Sequence, residues 1–325
     1  MTRAIGRRHA LGLTAGALAL PRAALARAPP WPVRPLRFVV GFAPGTATDS
    51  LARVLGEALA VAFEQPIVID NKPGAQGSIG ANLVAKAEAD GQTVLIGSAT
   101  THAAAASLLK SIPYDPVKDF APVTRLGHIG QVLVVRADFP ARDVAGLLAH
   151  ARANPGKLNY GTGSSGNLLP SATLAKRMGL DVGRVVYRSP PQAMADVLGG
   201  QVQFMFIDIS AALAQIRAGT LRALAVSSAA RSPLLPDVPS IGATLSGFEL
   251  LTWFAMYAPA GTPESLLDIL GNATRKAMTD PTLRGRLSTM GFEPYTSSPA
   301  ELAAFTAAEV AKWRALVAET GIEPE

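Results

Sequence analysis

The 325-residue chain contains no cysteine. That removes disulfides, thiolate nucleophiles and every cysteine-ligated zinc or iron–sulfur site, and a chain without thiols is at ease in an oxidising compartment. Histidine is nearly as scarce. His9, His102, His128 and His150 stand far apart, with no His-x-x-x-His or comparable spacing, so a histidine-built metal centre has no support. No Gly-x-Ser-x-Gly occurs, which excludes the usual hydrolase nucleophile elbow. Acidic pairs such as Asp115 and Asp119 fall in a polar loop and lack the setting that general acid–base work requires. After the first residues there is no Lys/Arg cluster and no apolar run long enough to span a bilayer, which takes about 20 residues. These absences leave little equipment for catalysis, nucleic-acid binding or membrane insertion, and they suit a protein that binds and releases.

The first 26 residues read as a secretory signal peptide. "MTRAIGRR" is a positive start, "HALGLTAGALAL" a short apolar run, and Ala24-Leu25-Ala26 a small-x-small cleavage pattern. Arg7-Arg8 followed by Leu11 leaves both the twin-arginine and the general secretion route open. Arg3, Arg7, Arg8 and Arg22 supply four of the six net positive charges. The basic balance therefore says little about the exported chain, for which nucleic acid is not an expected partner. The chain is expected to be exported.

With 49% apolar and 17% charged residues, the remainder is a folded globular protein, long enough for two domains. Strand and helix signals alternate. "LRFVVGF" precedes the helix "SLARVLGEALAVAFE", with Leu51, Val54, Leu55, Ala58 and Leu59 on one face. "PIVIDN", "GSIGANLVAKAEAD", "QTVLIGS" and "THAAAASLLKS" continue the alternation. The same order returns in "KLNYGTGSSGNLLPSATLAKRMG", "RVVYRSPPQAMADVLGG" and "QVQFMFIDIS". Short apolar strands separated by helices predict a mainly parallel sheet flanked by helices in each lobe. Two such lobes joined by two crossings, "FAPVTRLGHIGQVLVVRADFP" and "LLTWFAMYAPAGTP", make an α/β fold with a hinged cleft. The expected domains are residues 33–127 with 254–325, and residues 128–253.

Ligands of such sheets bind beyond the carboxyl ends of the strands. Those ends read "PGTATD", "GSATTH", "GTGSSGN" and "YRSPPQ". They are rich in glycine, which admits close backbone approach, and in hydroxyl donors, beside helix starts that favour an anion. The candidate ligand-binding residues are Gly45, Thr46, Thr48, Asp49, Ser98, Thr100, Thr162, Ser164, Ser165, Asn167, Arg188 and Asp208. Thr48, Asp49 and Asp208 have helix capping as an alternative role.

The segments "RFVVGFAPGTATDSLAR", "VIDNKPGAQGSIGANLVAKAEADGQTVLIGSATTHA", "SIPYDPVKDFAPVT" and "LRALAVSSAARSPLLPDVPSI" resemble the Bug-type receptors, the exported solute-binding proteins of tripartite tricarboxylate transporters. The resemblance runs from about Arg34 to Ile322. It implies a two-lobed periplasmic-binding-protein fold that closes on a small organic acid, works as a monomer without cofactor or catalysis, and serves a membrane transporter. It also implies that Gly45, Thr46, Thr48 and Asp49, with Thr162, Ser164, Ser165 and Asn167, hold one carboxylate. This chain departs from the family pattern at Thr46, at Leu168-Leu169-Pro170 and at Tyr187-Arg188-Ser189, where Arg188 could meet a second acidic group. Two rival readings stay open. Gly161-x-Gly163-x-x-Gly166 has the spacing of a dinucleotide loop, as in an exported NADP-dependent oxidoreductase. A sensory receptor without transport would share every other feature.

Overall fold

The computed structural model describes residues 31–324; residues 1–26, expected above to be a signal peptide, lie outside them. The first strand, β1 (Leu36–Val40), is buried at its four apolar positions, and its one polar residue, Arg37, is partly exposed and pairs with Asp70. Helix α1 (Ala47–Phe63) starts where the Thr46 hydroxyl accepts the Asp49 N–H, and it stops at Glu64 in the left-handed conformation. Strand β2 (Ile67–Asn71), helix α2 (Ser78–Ala85) and strand β3 (Thr93–Ser98) follow. Strands β2 and β3 both run parallel to β1.

After the short helix α3 (Ala105–Leu108), β4 (Phe120–Ile129) remains in this first sheet, whereas β5 (Gln131–Arg136) belongs to a second. The chain thus changes sheet across the single residue Gly130. The second unit comprises α4 (Val144–Ala153), β6 (Leu158–Thr162), α5 (Ser165–Arg177), β7 (Val182–Val186), α6 (Pro190–Gly199), β8 (Phe204–Asp208), α7 (Ile209–Arg217) and β9 (Leu221–Val226). Its sheet order is β7-β6-β8-β5-β9, with β6 parallel to both neighbours. The chain returns through β10 (Thr252–Pro259), which pairs antiparallel between β3 and β4, and the first sheet reads β11-β4-β10-β3-β1-β2. Helices α8 (Glu264–Ala277) and α9 (Pro281–Thr289), the short β11 (Phe292–Glu293) and α10 (Pro299–Thr320) complete the fold. Each sheet therefore has a parallel core to which the crossing strands add antiparallel neighbours.

Helix α10 ties the two units. It opens with a reciprocal capping box between Ser298 and Glu301. Glu309 accepts the Trp253 indole N–H at 2.9 Å, and Thr306 meets the Tyr257 hydroxyl at 2.6 Å. Near its end, Glu319 receives a bidentate pair from Arg177 of α5 at 2.8 and 3.1 Å. One buried apolar cluster runs from Val39 and Leu95 through Trp253 and Leu316 to Leu169 and Phe206, so the core is continuous between the sheets.

Candidate ligand-binding cleft

A cavity of about 370 Å³ lies between the loop ends of the two units, within the range of small-molecule sites. On the second unit its wall begins at Thr162, the last residue of β6, and continues through Gly163, Ser164, Ser165 and Leu168. Ser164 caps α5: its hydroxyl accepts the Asn167 N–H and donates to the Asn167 side-chain oxygen at 2.9 Å. Asn167 in turn donates to the Phe206 carbonyl at 2.8 Å. Asn167 is thereby committed to holding the helix start against β8. Ser165 is buried, with its hydroxyl 3.3 Å from that of Thr100 on the first unit. The first-turn N–H groups of α5 have no intrahelical acceptors and carry partial positive charge toward this wall. Gly163 is required by packing: a Cβ there would sit 2.2 Å from the Ser189 carbonyl carbon and 2.4 Å from the Pro190 nitrogen.

The first unit contributes Phe42, Gln76, Thr100 and Leu108. Its Pro44–Asp49 loop is organised around its own carboxylate. Asp49 accepts the Gly45 N–H at 2.9 Å, both Arg53 donors at 3.0 and 2.9 Å, and the Asn71 amide at 2.9 Å. Burial alone would raise the Asp49 carboxyl, but the bonds from Arg53, Gly45 and Asn71 outweigh it and hold it below the usual carboxylate range. Thr46 caps α1, and Thr48 is buried in its first turn. The 74–77 turn is strained: Ala75 and Gln76 both have positive φ, at 43° and 56°, a conformation uncommon outside glycine. Outliers of this kind gather at ligand sites, and this one presents Gln76 to the cavity.

Thr100 opens a π-turn over Thr100–Ala104, a rare element that recurs at functional sites. The turn is pinned from behind. Ser98 N–H donates to the Thr101 hydroxyl, which donates to the Ser98 carbonyl, and Tyr114 donates to the Thr101 carbonyl at 2.5 Å. His102 is fully buried, stacked on Tyr257 at 4.0 Å with its Nδ1 2.9 Å from the Thr101 hydroxyl. Burial pushes its pKa down to about 3, so it is a neutral packing group. The Ser98 hydroxyl is buried away from the cavity.

The third side of the cavity comes from β7 and the chain's tail: Arg184, Val186 and Tyr187, with Ile322 and Glu323. Tyr187 donates to Asp196 at 2.7 Å; burial, then this contact, pushes its hydroxyl up to about 12. Arg188, one residue past Tyr187, is exposed and does not line the cavity. Asp208 stands at the end of β8 beside Gln131 of the crossing strand, with a long hydrogen bond of 3.5 Å. Burial pushes its carboxyl up to about 6, and Gln131 offsets only part of that.

Of the residues picked from sequence, the cavity wall unites Thr100, Thr162, Ser164 and Ser165. Gly45, Thr46, Thr48, Asp49, Ser98 and Asn167 build the loops behind it, while Asp208 and Arg188 lie apart from the wall. Sequence reasoning passed over Phe42, Gln76, Leu108, Arg184, Val186, Ile322 and Glu323. None of them carries a local sequence signal: Arg184 and Val186 share a face with Thr162 through the pairing register of β7 on β6, a property of the fold.

Comparison with known proteins agrees with this geometry. The class defined by two helix-flanked sheets and a donor-lined cleft is that of the two-lobed solute-binding receptors. The profile of the family described as "Tripartite tricarboxylate transporter family receptor" (TctC) matches residues 51–322. The UPF0065 protein in the tcbD–tcbE intergenic region of Pseudomonas sp. strain P51 is 37% identical over 319 residues, covering 97% of this chain and 95% of that protein. Protein BugT of Bordetella pertussis is 34% identical, covering 90% of each chain. Among solved structures, R. palustris Rpa4515 with adipate superposes with a TM-score of 0.82 at 32% identity, covering 91% of this chain and 100% of that one. MatC (Rpa3494) of Rhodopseudomonas palustris with bound malate gives 0.75 at 31%, covering 88% and 100%. The chain belongs to the tripartite tricarboxylate transporter receptor family, the Bug-type receptors.

Proposed function

We propose that this protein is a periplasmic receptor that captures a small organic carboxylate in the cleft and delivers it to membrane subunits of a tripartite tricarboxylate-type transporter. It acts as a monomer, without catalysis or cofactor, through lobes formed by residues 33–127 with 254–325 and by residues 128–253. The observation that carries the reading is the wall itself. Thr162 at the end of β6 and Ser164 and Ser165 at the start of α5 share the cavity wall with Thr100, whose hydroxyl stands 3.3 Å from that of Ser165, so a carboxylate placed beside them meets hydroxyl groups from both lobes and the helix dipole. A ligand that touches both lobes favours closure by its differential affinity for the closed state. Adipate and malate in the related structures support carboxylates as the ligand class. Among the described residues no helix is long and apolar enough to cross a membrane, in keeping with an exported receptor.

Ser165→Ala is the discriminating variant, because Ser164 also caps α5 and its loss costs about 1 kcal/mol of stability. Calorimetric titration of protein stripped of ligand by unfolding and refolding is expected to show saturable binding of one carboxylate class. Ser165→Ala is expected to weaken that binding about tenfold, with an unchanged melting temperature. Unchanged affinity would remove Ser165 from the site. No response to any mono-, di- or tricarboxylate, together with tight NADPH binding, would overturn the receptor reading. The close packing of Gly163 on Ser189 and Pro190 already accounts for that glycine without a dinucleotide.

A further inference from the structure

A second cavity, of about 300 Å³, shares no lining residue with the cleft. It is built where the chain crosses between the sheets: Arg125 comes from β4, and Glu249, Leu251 and Trp253 come from the entry to β10 and its first residues. Tyr295 arrives on the segment before α10, which is tied to β4. There the Thr124 hydroxyl donates to the Ser297 carbonyl at 2.8 Å, and the Arg125 N–H donates to the Ser297 hydroxyl at 3.2 Å. Phe305, Glu309 and Lys312 close the cavity from one face of α10. The charges here are unevenly paired. Glu309 is occupied, accepting the Trp253 indole N–H at 2.9 Å and the Lys312 ammonium at 3.1 Å. Arg125 is not. Its guanidinium carbon lies 3.5 Å from the centre of the Phe305 ring and 4.4 Å from that of Tyr295; such contacts engage the flat faces of the cation and leave its in-plane donors unused. Its Nε is buried with no hydrogen-bond partner, and among the described residues no carboxylate pairs with the guanidinium. Burial lowers its pKa from the usual arginine value, against the opposing pull of Glu309 and Glu249.

We propose that this cavity is a second ligand site, in which Arg125 takes the carboxylate of a small aromatic monocarboxylic acid. The inference goes beyond the receptor reading and does not depend on what the cleft binds. A half-buried cation with unused donors is costly unless an acceptor comes to it. Because Nε is enclosed, an occupant meets the two terminal nitrogens, whose planar fork matches a carboxylate with two parallel hydrogen bonds. Leu251, Trp253, Tyr295 and Phe305 make the rest of the wall apolar and largely aromatic, which suits a flat ring. The carboxylates of Glu249 and Glu309 on the same wall repel a second negative charge, so the site favours one carboxylate over two.

The test titrates benzoate, benzyl alcohol and phthalate, which share a ring and differ in charge, into the wild-type protein and into Arg125→Gln, Arg125→Lys and Ser165→Ala, each checked by thermal melting. Wild type is expected to bind benzoate saturably, and about tenfold or more tightly than either benzyl alcohol or phthalate. Arg125→Gln is expected to weaken benzoate about tenfold or more. Arg125→Lys, which keeps the charge without the fork, should fall between, and Ser165→Ala should match wild type. Arg125 also packs on two rings, so a readout that needs no variant accompanies these: crystals of the wild-type protein soaked with 4-bromobenzoate, in which the anomalous bromine signal is expected beside Tyr295 and Phe305. Bromine found only in the cleft would overturn the site. So would benzoate affinity that falls with Ser165→Ala and not with Arg125→Gln, binding of benzyl alcohol or phthalate equal to that of benzoate, or no benzoate binding at all. The carboxylate titration described for the cleft tests the receptor reading separately.

Discussion

The two strand–loop–helix junctions at the heart of the molecule follow one plan and end in opposite states. In the first, between β1 and α1, the loop N–H of Gly45 already has an anion, the carboxylate of Asp49, locked by Arg53 and Asn71. In the second, between β6 and α5, the cap is again a hydroxyl, Ser164 in place of Thr46, but the first turn carries no acidic residue, and Ser165 there lines the cavity. A helix start that supplies its own carboxylate has an internal acceptor for its donors; one without a carboxylate still has donors to offer. The molecule thus makes one junction rigid and leaves the other for a ligand, although both read as anion-binding loops.

This contrast can be broken most severely at Gly163. A Cβ there collides with the backbone of Ser189 and Pro190, so Gly163→Ala is expected to cost about 3 kcal/mol or more and to abolish carboxylate binding, measured by denaturant melts and calorimetry. The aspartates come next, with opposite signs. Asp208 has a folded-state pKa raised to about 6. The native state therefore binds more protons than the unfolded chain between about pH 4 and 6, and its stability falls as pH rises through that window. Asp208→Asn is expected to stabilise the protein by about 1–3 kcal/mol at pH 7.5 and to do nothing at pH 4, as melts across that range will show. Asp49 is lowered, with burial opposed by Arg53, Gly45 and Asn71. Its contribution is full above the ordinary carboxylate range and is lost as pH falls through the depressed value. Asp49→Ala should cost about 1–3 kcal/mol at neutral pH and flatten the acid limb of the stability profile. The smallest effect is at Gly45, where a Cβ meets open space and only the φ of 84° resists. Gly45→Ala should cost about 1 kcal/mol, with carboxylate affinity kept.

Much of this architecture was legible in the residues. The alternation of apolar runs with amphipathic helices announced two helix-flanked sheets, and the family-like motifs named the receptor class. The donor-rich loop at 162–165 could be read as well, because Gly and Ser at a strand end have few other uses. What escaped was set by long-range packing. Asp49 looks like a site residue until Asn71, 22 positions on, is seen to clamp it. Gln76 reaches the cavity only through two residues with positive φ, and nothing in the side chains of Ala75 and Gln76 signals that conformation. Arg188, taken from the sequence as a ligand contact, lies past the end of β7 and off the cavity wall, whereas Arg184, inside β7 and in register with Tyr160, lies on it. The tail residues Ile322 and Glu323 come to the cavity because α10 ends at Gly321 in a left-handed cap beside α5, a placement no local pattern encodes.

The Arg177–Glu319 clasp at the end of α10 has a consequence for the medium in which the protein works. Both side chains are about one-third exposed, so dissolved electrolyte screens their attraction, within a Debye length of about 8 Å at physiological strength and about 3 Å at 1 M. Any motion that parts α10 from α5 must separate this pair, whose worth is about 0–1 kcal/mol. Under the proposed closure mechanism, salinity would weigh by at most that amount on the balance between shut and parted forms.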